Sequence, residues 1–250
     1  MQPDFFIQLM QTYTFDNVSL LVASAITFGF GFWEYIYSFR LVKREGSAPF
    51  PIWMHTFYFA HDSSFAVLFL IAASCNSWNW FLTGVSAALF VWTLFELFNF
   101  YKAVTVERRE IWSRYYGENV TARQAIVSIL LQLAVFYSLV NVVIMYIGPG
   151  CMFQWAAITN MVMATMPGLL WRERGSRKGG GMGIALVILG GTVNTFLPCG
   201  MFVGALPEVF NQPWFYIAGV AFTIIAVRNV LMVRSMPAKE AIAGEKRPIW

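Results

Sequence analysis

Phe50–Ser74 reads FPIWMHTFYFAHDSSFAVLFLIAAS, an apolar stretch that carries His55, His61 and Asp62. A carboxylate near the middle of a membrane helix is costly, so it normally faces a cavity or a partner. On a helix His55 and Asp62 are seven residues apart and share nearly one face, two turns apart, while His61 points away from both. Such an acid can serve proton transfer, or it can be an interhelical polar contact. The other polar groups within apolar stretches are Glu34 (GFWEYIY), Glu96 (FELFNF), Arg228 (IIAVRNVL) and the amides Asn99, Gln132, Asn141, Asn160, Asn194 and Asn229. Glu96 and Asn99, at i and i+3, share a face. An unpaired guanidinium at membrane depth is costly, so Arg228 is expected to pair with Glu34 or Glu96.

Other chemistries lack their residues. His55 and Asp62 do not match a closed metal-site spacing, and neither do Cys75, Cys151 and Cys199, whose odd number is no disulfide framework. No metal and no cofactor are expected. The chain has no nucleophile elbow, phosphate-binding glycine loop or dinucleotide fingerprint. The last apolar stretch has no lysine for a retinal Schiff base.

The elements that must hold these groups are membrane helices. The chain has 250 residues, of which 58% are hydrophobic, 18% aromatic and 12% charged. The charged fraction is half that of an average soluble domain. The long continuous apolar runs fit helices rather than a β-barrel. Seven segments of about 20 residues, enough to cross about 30 Å of hydrocarbon, lie near 18–39, 51–74, 80–101, 125–147, 153–171, 182–205 and 214–233. Pro49 and Pro51 precede the second segment, Gly148-Pro149-Gly150 is a tight turn, and Pro198 should kink the sixth.

The loops orient the bundle. Sixteen of the 17 lysines and arginines fall in 40–49, 102–124, 172–181 and the tail at 234–250, including Lys246; the seventeenth is Arg228. The N-terminus and the loops 75–79, 148–152 and 206–213 carry none. By the positive-inside rule the N-terminus is outside or lumenal and the C-terminus, with the tail 235–250, is cytosolic. The net charge of +4 is therefore topological and implies no nucleic acid. MQPDFF lacks a positive n-region, so no cleavable signal peptide is expected. Within residues 1–17, the stretch 4–17 could place Phe5, Phe6, Leu9 and Tyr13 on the membrane surface, or form a short ordered tail. The expected fold is all-α: one transmembrane domain over 1–250, a seven-helix bundle in a bacterial inner membrane or the endoplasmic reticulum.

Aromatic residues crowd the first three segments, among them Trp33, Tyr37, Tyr58 and Trp92. Many face lipid. An acid beside several ring faces is also the equipment of carbocation chemistry: the acid protonates an alkene or epoxide, and ring quadrupoles stabilise the cation.

The order of features resembles the small seven-helix membrane terpene cyclases of fungal meroterpenoid and indole-diterpene pathways and their bacterial relatives. YIYSFRLVK (35–43) is similar to the family's first-span exit, and the acid of the next span matches its catalytic glutamate, here Asp62. FNFYKAVTVERREIW (98–112) is similar to the third-span exit. YIGPGCMFQWAAI (146–158) matches an Ile-Gly-Pro turn before a Trp-bearing fifth span. LLWRERGSRKGGG (169–181) and LPEVFNQPWF (206–215) match the loops that follow. The last span departs from the family, because 218–234 has no acid and Arg228 lies near the equivalent place.

The resemblance implies a membrane-bound terpene cyclase or isomerase of meroterpenoid-type, terpenoid biosynthesis. Its substrate would be a hydrophobic prenylated small molecule met among membrane lipids. Asp62 would protonate a prenyl epoxide or alkene, assisted by Glu34 or Glu96 and tuned by His55; burial in an apolar site favours the protonated carboxyl. Trp33, Tyr37, Tyr58, Trp92, Asn99, Trp155 and Asn194 would line the substrate site. The rival readings are a proton-coupled small-molecule transporter, using Asp62 and Glu96 as relay groups, and a non-catalytic lipid- or partner-binding member of the same fold.

Overall fold

The computed structural model describes residues 5–240 and 247–250; Asp4 of the N-terminal stretch and Lys246 of the tail lie outside the described residues. The chain runs through α1 (Phe5–Thr12), α2 (Val18–Glu45), α3 (Ile52–Cys75), α4 (Trp80–Thr105), α5 (Arg108–Tyr116) and α6 (Ala122–Ile147). A 3₁₀ turn, Pro149–Cys151, leads into α7 (Met152–Arg174). There follow α8 (Met182–Thr195), α9 (Met201–Ala205), α10 (Pro207–Phe210) and α11 (Pro213–Ser235). No strand occurs among the described residues.

Among the described residues five helices, α2, α3, α4, α6 and α11, are long and apolar enough to cross a membrane. The other two apolar segments differ for identifiable reasons. In α7, Gln154, Thr159, Asn160, Thr165 and Pro167 lower the hydropathy of a 23-residue helix. The sixth segment is broken rather than kinked: α8 ends at Thr195, and Pro198 lies in the 196–200 gap before α9. Proline has no amide hydrogen to continue the helix, and its ring clashes with the preceding turn. The loop at 102–124 contains α5, which docks through buried Trp112 against Ala103, Val120, Ala125 and Ile129.

The chain divides into two compact units. The first comprises Met1–Asn17 and Ile52–Ala156. Here α3 packs on α4 and α6, and α4 also meets α6. Asn79 caps α4 by accepting from Phe81 N and Leu82 N, and Thr121 and Gln124 form a capping box on α6. The face of α1 that the sequence could place on the membrane instead packs on protein. Leu9 and Tyr13 are buried, Tyr13 stacks on Phe81, Phe6 meets Phe69 and Phe5 meets Phe153. Gly148 ends α6 at φ +98°, a backbone state that favours glycine.

The second unit comprises Val18–Pro51 and Ala157–Trp250. In it α8 packs on α2 and α11, and α2 also meets α9. Asn229 of α11 donates to Ala164 O of α7 at 2.9 Å. A Cβ on Gly168 would collide with that same Asn229 side chain, so glycine permits the helix approach. Where α7 ends, Trp171 Nε1 donates to Pro49 O at 3.1 Å and Arg174 Nη1 to Ala48 O at 2.6 Å.

The cysteines test this packing. Cys75 and Cys199 are exposed, whereas Cys151 is fully buried and burial pushes its thiol up to about 11. The thiolate is the reactive form. A maleimide should therefore modify Cys75 in the folded protein and Cys151 only after denaturation, read by mass spectrometry of the digested chain. Modification of both at equal rates would contradict the placement of the 148–152 turn.

Candidate functional site

The first unit holds the polar cluster, and α3 is its spine. Apolar residues on both sides of α3 are buried, so its polar groups at 55, 56, 61 and 62 lie inside the packing. Each then needs a partner, because an unsatisfied buried polar group costs about 1–3 kcal/mol. Thr56 Oγ1 donates to Gln132 Oε1 at 3.2 Å, and Ser63 Oγ lies 2.7 Å from Tyr137 Oη. These two contacts join α3 to α6. Ser86 Oγ of α4 donates to Ala66 O of α3 at 2.9 Å.

Two acid–imidazole pairs form the centre. His55 Nδ1 of α3 lies 2.6 Å from Glu96 Oε2 of α4, and both residues are buried. Asn99 Nδ2, one turn on from Glu96, donates to the same Oε2 at 2.9 Å. Asn99 Nδ2 also lies 3.1 Å from His55 Nδ1, so the three side chains form one cluster. The second pair lies within α3: His61 Nδ1 is 2.8 Å from Asp62 Oδ1.

This geometry corrects two expectations. His61 does not point away from Asp62. Adjacent helical positions diverge by about 100°, yet both side chains are short enough to bend together. His55 engages Glu96, so the acid it directly contacts is not Asp62. Arg228 also departs from expectation. It is exposed on α11, and among the described residues it makes no ion pair with Glu34 of its own unit, while Glu96 is held by His55 and Asn99. Exposure lets a long arginine side chain run along the helix toward the membrane surface, which removes the need for a buried partner.

Aromatic rings wall the His61–Asp62 pair. The His61 ring centroid lies 5.0 Å from that of Phe65, 6.4 Å from Phe57 and 6.5 Å from Trp155. Phe57 in turn meets Phe136 and Tyr58. His61 Nε2 and Trp155 Nε1 are both buried with no hydrogen-bond partner among the described residues. His61 is the residue that sequence reasoning undervalued. Its signal was direct adjacency to a buried acid, which helical-wheel geometry discounted.

The expected site residues thus fall into two groups. His55, Tyr58, Asp62, Trp92, Glu96, Asn99 and Trp155 belong to the first unit, with Trp92 half-buried on α4. Trp33, Glu34, Tyr37 and Asn194 belong to the second. There Trp33 is exposed, and Glu34 lies against α8, where a Cβ on Gly191 would come 3.5 Å from its Oε1. Tyr37 packs on Gly183, and Asn194 Nδ2 donates to Thr27 Oγ1 at 2.8 Å.

The His55–Glu96 pair should show strong coupling. Glu96→Leu leaves a buried imidazole without its carboxylate and should cost about 3–5 kcal/mol in unfolding measurements. Combining it with His55→Leu should cost less than the sum of the two single losses, by more than about 1 kcal/mol. Additive losses would show that the contact carries no coupling.

No family model, curated protein or solved structure matches this chain, so the site's own chemistry is what bears on function.

Proposed function

We propose that the chain is a membrane-bound terpene cyclase whose general acid is Asp62, acting on a hydrophobic prenylated substrate. The observation that carries this reading is the His61–Asp62 pair, buried among Phe57, Phe65 and Trp155. The resemblance of the surrounding segments to the seven-helix cyclases supports it. The five long apolar helices are completed, in this proposal, by α7 and by α8 with α9, giving seven passes with the N-terminus outside and the C-terminus cytosolic. The distribution of lysine and arginine supports that orientation.

The chemistry balances without a redox step. Asp62 accepts a hydrogen bond from His61 Nδ1 on one oxygen and carries its proton on the other. That proton passes to the epoxide oxygen of the substrate, and the C–O bond breaks as the oxygen becomes a hydroxyl. An alkene π pair closes on the electron-poor carbon. The cation then moves along the prenyl chain beside ring faces, which attract positive charge. Loss of a proton from carbon restores an alkene and ends the reaction. His61 Nε2 is positioned to take that proton. Transfer of the Nδ1 proton to Asp62 restores the neutral acid and leaves His61 neutral with its proton on Nε2; release of that proton and uptake of one at Nδ1 reset the pair for the next turnover. Glu96, held by His55 and Asn99, ties α4 to α3 and so positions the helix that carries Asp62.

Asp62→Asn keeps side-chain size and hydrogen bonding but removes the acid. Turnover of a farnesyl- or geranylgeranyl-type epoxide, followed by mass spectrometry, should fall by about 10²–10⁴-fold, with substrate binding nearly unchanged. Asp62→Glu should keep part of the activity. A folded Asp62→Asn protein that turns over substrate at the parent rate would end the assignment. Substrate binding without turnover by the parent protein would favour the non-catalytic binding member.

A further inference from the structure

The second unit carries a charged cleft that the proposed chemistry does not use. The loops after α2 and α7 and the segment after α11 meet around a cleft of about 550 Å³. Arg44, Arg177, Lys178, Lys239 and Arg247 line it, with Glu45 and Glu240 the acidic members among the described residues. The C-terminal ends of three helices lie at its edge, and their dipoles favour cations. That accounts for basic residues in the last turns of α2, α7 and α11. It does not account for the loop after α7, with Arg177 and Lys178, and the C-terminal segment, with Arg247, bringing their cations into one concave surface.

The cleft's internal bonds show which cations are committed. Lys239 Nζ reaches Glu45 Oε1 at 2.6 Å and Ile249 O at 3.0 Å, and it also donates to Gly180 O. Its three hydrogens are therefore used. Burial holds its ammonium below the usual lysine range, with Glu45 pulling it upward and the nearby Arg177 charge adding to the depression. Glu45 is equally committed, since its other oxygen accepts from Gly179 N at 2.9 Å. The Lys239–Glu45 pair is thus a neutral staple in the cleft lining, and Ile249, whose carbonyl joins it, is buried.

Setting that pair aside, the charged lining among the described residues is Arg44, Arg177, Lys178 and Arg247 with Glu240. Arg44 commits Nη1 to Arg247 O at 3.3 Å, and Arg177 commits Nη2 to Arg234 O at 2.9 Å. Each bond fixes a guanidinium in place through one nitrogen and leaves others to donate. Arg177 Nε is buried with no hydrogen-bond partner among the described residues. Like charges gathered in a cleft repel, and the arrangement is relieved by an anion that accepts several hydrogen bonds at once. Guanidinium groups fit phosphate oxygens bidentately.

We propose that this cleft binds a phosphate-bearing ligand, with Arg177 and Arg247 as its principal donors. The phosphate can belong to a soluble diphosphate or to a lipid headgroup, and the two sources are experimentally separable.

The full chain in phosphatidylcholine nanodiscs is titrated with inorganic pyrophosphate by calorimetry. In parallel, the chain is reconstituted with mixed phosphatidylcholine and phosphatidic acid, and lipid retained by the protein is counted by native mass spectrometry. Arg247→Gln changes an exposed side chain and should leave the fold intact, as a melting curve checks; Arg177→Gln is the second variant. Losing a hydrogen bond to a charged group should weaken binding about tenfold or more. Variant-sensitive pyrophosphate binding supports the site with a soluble ligand. Phosphatidic acid retention that the variants abolish, without pyrophosphate binding, supports it with a headgroup. Arg172→Gln, an exposed cation outside the cleft lining, should change neither. The proposal is overturned if neither probe binds, if both variants bind like the parent, or if Arg172→Gln weakens binding as much as they do.

Discussion

The contact on which the first unit depends is the 2.6 Å bond from His55 to Glu96. It joins α3 to α4 through two buried ionisable side chains, where an isolated charge would be far costlier than in water. Such a pair tolerates little displacement, because a carboxylate that loses its donor has no water to replace it. The bond therefore fixes the register of α3 against α4. Asn99 reinforces it from the same face of α4. With that register set, Thr56 and Ser63 meet Gln132 and Tyr137 on α6, and His61 and Asp62 come to rest among aromatic rings. The catalytic proposal inherits its geometry from this structural pair: one acid is anchored so that the other can be placed.

The second unit is held together by different means. Its helices approach through small residues, as Gly168 does beneath Asn229 and Gly183 beneath Tyr37. Its polar contacts gather where the helices end. Trp171 and Arg174 bind the carbonyls of Pro49 and Ala48, and Lys239 ties Glu45 to the chain near Ile249. Small-residue packing suits a bundle in lipid, where apolar side chains gain little by leaving the solvent. Charged staples are cheaper at helix ends, where water or headgroups solvate what the staple leaves unpaired. The same economy brings surplus arginines to the cleft without stabilising them individually.

Much of the helical plan was legible because hydropathy and length carry it directly: α2, α3, α4, α6 and α11 each cover a segment read from composition. Residue-specific detail was legible where backbone chemistry is restrictive, as at Gly148-Pro149-Gly150. Pro198 was read as a kink and proved a full break, because Gly200 follows it and nothing N-terminal to α9 resumes the helical bonding. α5 was hidden in a basic loop, since its docking rests on the single buried Trp112. At the site, Glu96 and Asn99 were correctly placed on one face from their spacing. Their partner was not, because choosing between His55 and Arg228 requires knowing which helices touch. His61 was discounted by a wheel that treats side chains as radial spokes and ignores how a short acid and an imidazole bend toward each other.

The central claim is that Asp62 orients His61 through Nδ1 and leaves Nε2 available in an apolar surround. Nitrogen NMR of histidine-labelled protein reads this directly, because the chain has 2 histidines and hence two imidazoles to assign. The account predicts that Asp62→Asn shifts the Nδ1 resonance of one ring while Glu96→Gln shifts that of the other. It also predicts that the Asp62-sensitive ring shows an unprotonated Nε2 without a hydrogen bond. Asp62→Asn spectra in which both imidazoles keep their parent shifts, or a His61 ring protonated at Nε2 alone, would contradict it.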